Sequence, residues 1–271
     1  MGAVFEVTGV GARSTALGGA FVAGVNSDEV VWHNPAGNAR LQQWQGGTTS
    51  ALLHPGLGQL LSVHGLAVAG PFRFGALQAG VSLLSAEGWR EDVAALGYGR
   101  ALHPRVALGG VLRTSAWQAG DLSRRVWNLD VGGTYDVGYV HPRVSMRLGL
   151  LFKDLNRVNL AAGGQSAGRR SRGLVVAASL NSGGRQILLD VERRGGWTEV
   201  RGGYETAVIS LADARFRVGG SALGPGWSGK EVNVGLGQDW KQWHFDYAYT
   251  YPLRVSALGG MHRFSLKHNW R

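Results

Sequence analysis

The chain has no cysteine among its 271 residues, which excludes disulfides, thiolate metal sites and thiol nucleophiles together. It has only seven prolines, and no window approaches the roughly 18 uninterrupted apolar residues of a membrane-spanning helix. Any membrane crossing therefore falls to strands, and strands cross a bilayer only as a closed barrel. Length does not decide the matter, because it also suffices for one or two soluble domains. What the chain holds in plenty is glycine and tryptophan, 44 and 10 residues at a mean hydropathy of −0.06. That composition suits many short strands with aromatic belts.

The formal charge of +10 raises the question of nucleic acid. The arginines, however, are scattered over alternate strand positions and turns, with no basic helix or binding motif, so no nucleic-acid partner is expected. A basic surface against anionic lipid headgroups accounts for the excess better.

From Gln43 onward the chain alternates apolar and polar residues with a period of two, each run ending in Gly, Pro, Asn or Asp. In one run Val144, Met146, Leu148, Leu150 and Phe152 share a face opposite Ser145, Arg147, Gly149 and Lys153. The spans read as strands are 43–53, 59–69, 72–84, 89–102, 105–117, 126–137, 143–155, 173–180, 186–193, 197–206, 214–221, 230–240, 243–251 and 261–270. An even count puts both barrel ends on one side. Turns such as Gly70-Pro71, His103-Pro104 and His141-Pro142 are tight, whereas 118–125, 156–172 and 252–260 read as longer loops. Short turns on the periplasmic side and long loops outside is the outer-membrane pattern. The polar face carries both signs, including Asp130, Arg147, Lys153, Asp190, Glu192, Glu199, Arg201, Glu205, Arg217 and Arg263, and is expected to line a wet or plugged lumen and pair across strands. With almost no helix left to cover the apolar face, a soluble two-layer fold is disfavoured.

The N-terminal stretch Gly11-Ala12-Arg13-Ser14-Thr15-Ala16-Leu17-Gly18-Gly19-Ala20-Phe21, followed by Trp32-His33-Asn34-Pro35-Ala36-Gly37, is rich in small residues that let short helical segments approach other backbone. Asp28 and Asn34 are positioned to cap, and Pro35 suits a first helical turn. This stretch resembles the N-terminal signature of the PorV/PorQ and FadL-like outer-membrane barrels, in which it folds into the barrel as a plug. The run Leu148–Asn156 is similar to a mid-barrel strand and exit of PorV-type proteins, and 243–249 with 261–266 to their closing hairpin. The resemblance implies an all-β fold: a membrane-spanning antiparallel β-barrel of about 14 strands with a short helical N-terminal plug. The plug is expected over 1–42 and the barrel over 43–271, as one structural domain. Gly11, Ala12, Arg13, Gly18, Gly19, Phe21, Asn34, Pro35, Ala36 and Gly37 are its expected plug residues. Met1 leads into this segment without the basic start and apolar core of an export signal, so a bacterial outer-membrane location expects a mature form of the chain.

No metal-ligand spacing, Gly-x-Ser-x-Gly elbow or dinucleotide βαβ context is found, so no enzyme activity, metal or cofactor is expected. Two functions follow from the resemblance. A PorV-like docking subunit of a secretion or surface-assembly complex would bind envelope proteins through rim anchors, for which Trp117, Arg169, Arg170, Arg172, Trp227 and Tyr251 are the candidates. A FadL-like passive transporter would instead bind a hydrophobic ligand and needs a mostly apolar pocket. The 156–172 loop is polar and basic, so the docking reading is preferred at this stage.

Overall fold

The computed structural model describes residues 10–57, 61–159, 170–208, 213–224, 228–254, 257 and 259–270. Fourteen antiparallel strands close into one barrel, each paired to its sequence neighbours and the last to the first. They are β1 (Trp44–Leu53), β2 (Leu61–Phe72), β3 (Gly75–Ala86), β4 (Trp89–His103), β5 (Val106–Ala119), β6 (Leu122–His141), β7 (Val144–Lys153), β8 (Gly173–Ser182), β9 (Arg185–Arg194), β10 (Trp197–Ala207), β11 (Ala214–Gly224), β12 (Ser228–Trp240), β13 (Trp243–Pro252) and β14 (Met261–Trp270). Closure leaves no free strand edge, which is the condition for crossing lipid with strands. Leu66, Val81, Leu96, Val176, Leu236 and Phe264 are exposed on the outer face, the side that a bilayer covers.

Two features depart from the expected connections. The loop expected at 118–125 is a tight hairpin: β5 and β6 continue past the apolar band and turn at Gly120-Asp121, with Trp117 opposite Arg124 and Ala116 opposite Arg125. Arg124 and Arg125 look like loop in a sequence, yet charge is at home on a strand that has left the hydrocarbon zone. Nor are the connections on that rim uniformly long, since Glu87-Gly88 and Gly195-Gly196 are also two-residue turns. The length asymmetry rests mainly on 154–172 and 253–260.

Residues 10–43 run inside the barrel. Helix α1 (Ala12–Ala16) lies against β11 to β14, while α2 (Val30–His33) and a 3-10 turn at Pro35–Asn38 lie against β3 to β6. α1 is short because its ends are fixed early. Gly11 at φ +120° precedes it, Glu29 accepts from the Arg13 and Ser14 amides at 3.3 and 2.8 Å, and Gly18 and Gly19 at φ +69° and +76° stop it. Asn34 caps the 3-10 turn by accepting from the Ala36 amide at 3.2 Å, with Pro35 in the first turn. The capping expected of Asp28 goes to its neighbour Glu29 instead, and Asp28 packs against Gly47.

The barrel wall meets this segment through missing side chains. Ten of the fourteen strands turn a glycine towards the plug: Gly47, Gly65, Gly80, Gly99, Gly109, Gly132, Gly149, Gly203, Gly219 and Gly235. A Cβ at any of these would come within 2.8 Å of a plug atom. The remaining strands complete the ring differently. Ala177 on β8 and Ala248 on β13 pack on Val22, Ala23, Ala12 and Ala16. Asp190 on β9 accepts from the Phe21 and Val22 amides at 2.9 and 3.0 Å, and Ser265 on β14 accepts from the Ala12 amide at 2.9 Å.

Adjacent positions on β10 test this packing. Gly203→Ala would place a methyl 2.5 Å from the Leu17 carbonyl oxygen, whereas the nearest atom at outward-facing Gly202 is 4.0 Å away. Thermal unfolding in detergent should show Gly203→Ala destabilised by about 1–3 kcal/mol, with Gly202→Ala within about 0.5 kcal/mol of the parent. Equal effects would mean that the plug does not touch the wall there.

Candidate functional site

Between the plug and the rim that carries the longer loops lies a chamber of about 410 Å³, in the size range of small-molecule sites. Its floor is plug: Ser14, Thr15, Gly18, Gly19, Trp32 and His33. Its wall carries eight cationic side chains, Arg113, Lys153, Arg170, Arg194, Arg201, Lys230, Arg254 and Arg263, against four carboxylates, Asp154, Glu192, Glu199 and Glu231. The apolar side chains facing it are few: Trp32, Pro252 and Met261.

The carboxylates are shared between cations. Glu192 bonds Lys153 and Arg201 at 2.8 Å each and Arg194 at 3.2 Å. Glu199 bonds Arg201 at 2.5 Å and Lys230 at 3.1 Å. Asp154 takes Arg194 at 2.6 Å and Arg170 at 3.2 Å. Arg113 pairs with fully buried Asp130 and donates to the Trp32 carbonyl at 3.2 Å, tying the wall to the floor. The expectation that Asp130, Lys153, Glu192, Glu199 and Arg201 face inward and pair across strands is met by this lattice. Beyond the plug a second cluster joins Arg13 to Glu205 at 2.9 Å, and Arg217 to Glu205 and Asp246 at 2.5 Å each.

The structure separates the residues singled out in the sequence. Gly18 touches the wall at Gly219 and Gly220, whereas Gly19, expected to pack as tightly, faces the chamber and meets only the flexible Arg201 side chain, 3.3 Å from where its Cβ would be. Gly11 and Ala12 are buried, and Arg13 leaves the plug for Glu205 and Gln186. Phe21 sets its ring against His33 at 5.2 Å. Asn34 donates to the Val22 and Gly133 carbonyls at 2.9 and 3.1 Å; Pro35 and Ala36 rest on Gly99 and Gly109, and Gly37 abuts the Gly24 carbonyl.

Among the described residues the docking anchors do not form one surface. Arg170 is a correction: it turns inward to Asp154 with its side chain 15% exposed, because a buried carboxylate outcompetes solvent for it. Arg172 is exposed and donates to the Leu155 carbonyl at 2.9 Å. Trp117 is half-buried and stacks on Trp89 at 5.5 Å, and Tyr251 faces outward on β13. Arg169 and Trp227 lie outside the described residues. Sequence reasoning did not single out Arg113, Arg194, Lys230, Glu231 or Arg254. Arg113 has the same strand parity as Val111 and Ser115, a signal that becomes readable once the register is known.

No family model and no curated protein matches the chain. Solved structures do. A TodX monoaromatic hydrocarbon channel mutant superposes with a TM-score of 0.70 at 12% identity, covering 98% of each chain. The toluene transporter TbuX of Ralstonia pickettii gives 0.69 at 12% identity, over 99% of this chain and all of the other, and the CymD monoaromatic hydrocarbon channel gives 0.66 at 13% over 98% and 97%. The chain thus has the barrel fold of these channels. No PorV-type or enzyme structure stands among these neighbours.

Glu29 and His33 are among the plug residues whose protonation equilibria are displaced. Burial, reinforced by Asp28, raises the Glu29 carboxyl from an ordinary 4.5 to about 7. Burial, reinforced by Lys153, Arg201 and Arg113, lowers the His33 imidazole from 6.5 to about 3 and keeps it neutral. A raised folded-state value contributes stability that is complete below pH 4.5 and lost as pH rises through 7. The lowered His33 value acts oppositely, favouring the fold above 6.5 and losing that contribution towards 3. Glu29→Gln should remove the first dependence only, so melting temperatures of variant and parent should differ in their response between pH 4.5 and 7. Parallel curves across that interval would refute the assignment.

Proposed function

We propose that this chain is a FadL-like passive channel of the bacterial outer membrane, with lipid around its apolar belt and the rim bearing the 154–172 connection facing outside. The observation that carries this reading is a solute-sized chamber, open towards one rim and floored by the plug, inside a barrel whose fold follows hydrocarbon channels over almost its whole length. Passage requires the plug to shift. Its contacts to the wall combine packing on glycine with side-chain hydrogen bonds and the Arg13–Glu205 ion pair, and these have to part for it to move.

The docking reading draws no comparable support. Arg170 is engaged in the lumen, and of the other described anchors Trp117 stacks on Trp89 while Arg172 and Tyr251 stand apart as exposed groups. The chamber's lining side chains are mostly charged or polar, whereas a pocket for an uncharged hydrocarbon is lined mostly by apolar ones.

Proteoliposomes containing the purified chain should release a trapped small sugar faster than protein-free vesicles, and Gly203→Ala, which disturbs plug seating, should change the rate. Release no faster than from empty vesicles for every solute tried, with an envelope protein co-purifying from native membrane, would replace the channel by the docking subunit.

A further inference from the structure

We infer that the chamber binds a small organic solute bearing two or more carboxylate groups. The inference rests on reading the chamber as the solute compartment of a channel, and it names the class of solute.

Charge is the first observation. Eight cations face four carboxylates across a cavity with protein on its floor and sides, and counting Asp130 behind Arg113, Asp190 near Arg201 and Glu29 near Arg263 still leaves a cation in excess. A one-sign surplus in a low-dielectric enclosure concentrates ions of the opposite sign.

Hydrogen-bonding capacity is the second. Glu192, Glu199 and Asp154 each already serve two or three cations, and none of them pairs with Arg263. A guanidinium has five N–H groups, and several here are left over. The Nε of Arg113, the Nε of Arg263 and the indole Nε1 of Trp32 have no hydrogen-bond partner among the described residues. All three residues line the chamber and are at least nine-tenths buried, at 7%, 5% and 6% exposure. Arg263 donates to the neutral Thr15 hydroxyl and makes no salt bridge among the described residues. These three nitrogens are themselves enclosed by protein, so a solute in the chamber meets the net charge of the arginines rather than these atoms.

Geometry selects the organic polyanion over a single small ion. Six of the cations stand on β5, β7, β9, β10, β12 and β14 and the other two, Arg170 and Arg254, on connections, so they surround the space and one carboxylate reaches only one side of it. Carboxylates answer guanidinium groups in bidentate fashion, and a skeleton carrying two or more of them spans cations on opposite walls.

Citrate and toluene, titrated calorimetrically into the full-length protein in nonionic detergent, separate the cases. Citrate should bind saturably, weaken about tenfold or more between about 0.1 M and 0.5 M salt, and bind more tightly than inorganic phosphate. Toluene should give no saturable heat. Lys230→Gln, at the half-exposed mouth of the chamber, should weaken citrate about tenfold, whereas Glu231→Gln, which removes an opposing charge, should tighten it. Neither residue contacts the plug through an ion pair among the described residues, and either variant alone decides the sign. Saturable toluene without citrate binding, citrate affinity unmoved by salt and by both variants, or phosphate binding as tightly as citrate would overturn the inference. Sugar release from proteoliposomes without citrate binding leaves the channel standing and removes the polyanion. Citrate binding without release of any solute supports the anion chamber and removes the channel.

Discussion

A barrel of this size has to be filled, and here the filling is backbone laid against backbone. Ten strands withhold a side chain at the level of the plug, and the two alanines, Asp190 and Ser265 close the ring. Inward glycine costs a strand conformational entropy and packing. The return is close approach, which lets Leu17, Gly18, Val22, Asn34 and Ala36 press on the wall at van der Waals distance. The plug therefore supplies the core that the wall lacks, and the two are parts of one packed unit.

That packing also divides the ionic lumen into two levels. On one side Arg13, Arg217, Glu205 and Asp246 form a tight cluster beneath the plug. On the other the shared carboxylates of the chamber leave cations in excess. Taking charges out of water is costly, and a buried network that is only partly satisfied adds little stability. An excess maintained on one level is better understood as an arrangement for an anionic solute than as a stabilising device. The chain thus combines a barrel fold shared with hydrocarbon channels and a chamber lined mostly by charged side chains.

Much of the architecture was legible from periodicity. The alternation of Leu129, Val131 and Tyr135 against Asn128, Asp130 and Thr134 fixes which face meets lipid, and the structure keeps that division. The Asn34-Pro35 turn was equally readable, because capping and proline preferences are local. The reach of β5 and β6 was missed, since Arg124 and Arg125 sit where a strand has outgrown the apolar belt. The chamber was hidden for a different reason: Arg113, Arg194, Lys230 and Arg263 come from four strands far apart in sequence, and only closure in register brings them around one space. Arg170 shows the limit most plainly. In the sequence it belongs to a basic loop, and only the buried position of Asp154 draws it inside.

The claim on which everything else depends is that the plug is seated within the glycine ring. Hydrogen–deuterium exchange of the full chain in detergent tests it at the Phe21 and Val22 amides, which donate to Asp190 across the lumen. Seated as described, these two amides should exchange as slowly as those of the surrounding strands. Exchange at the rate of an unstructured peptide, with the strands still protected, would show that the barrel closes without its plug and would contradict the account.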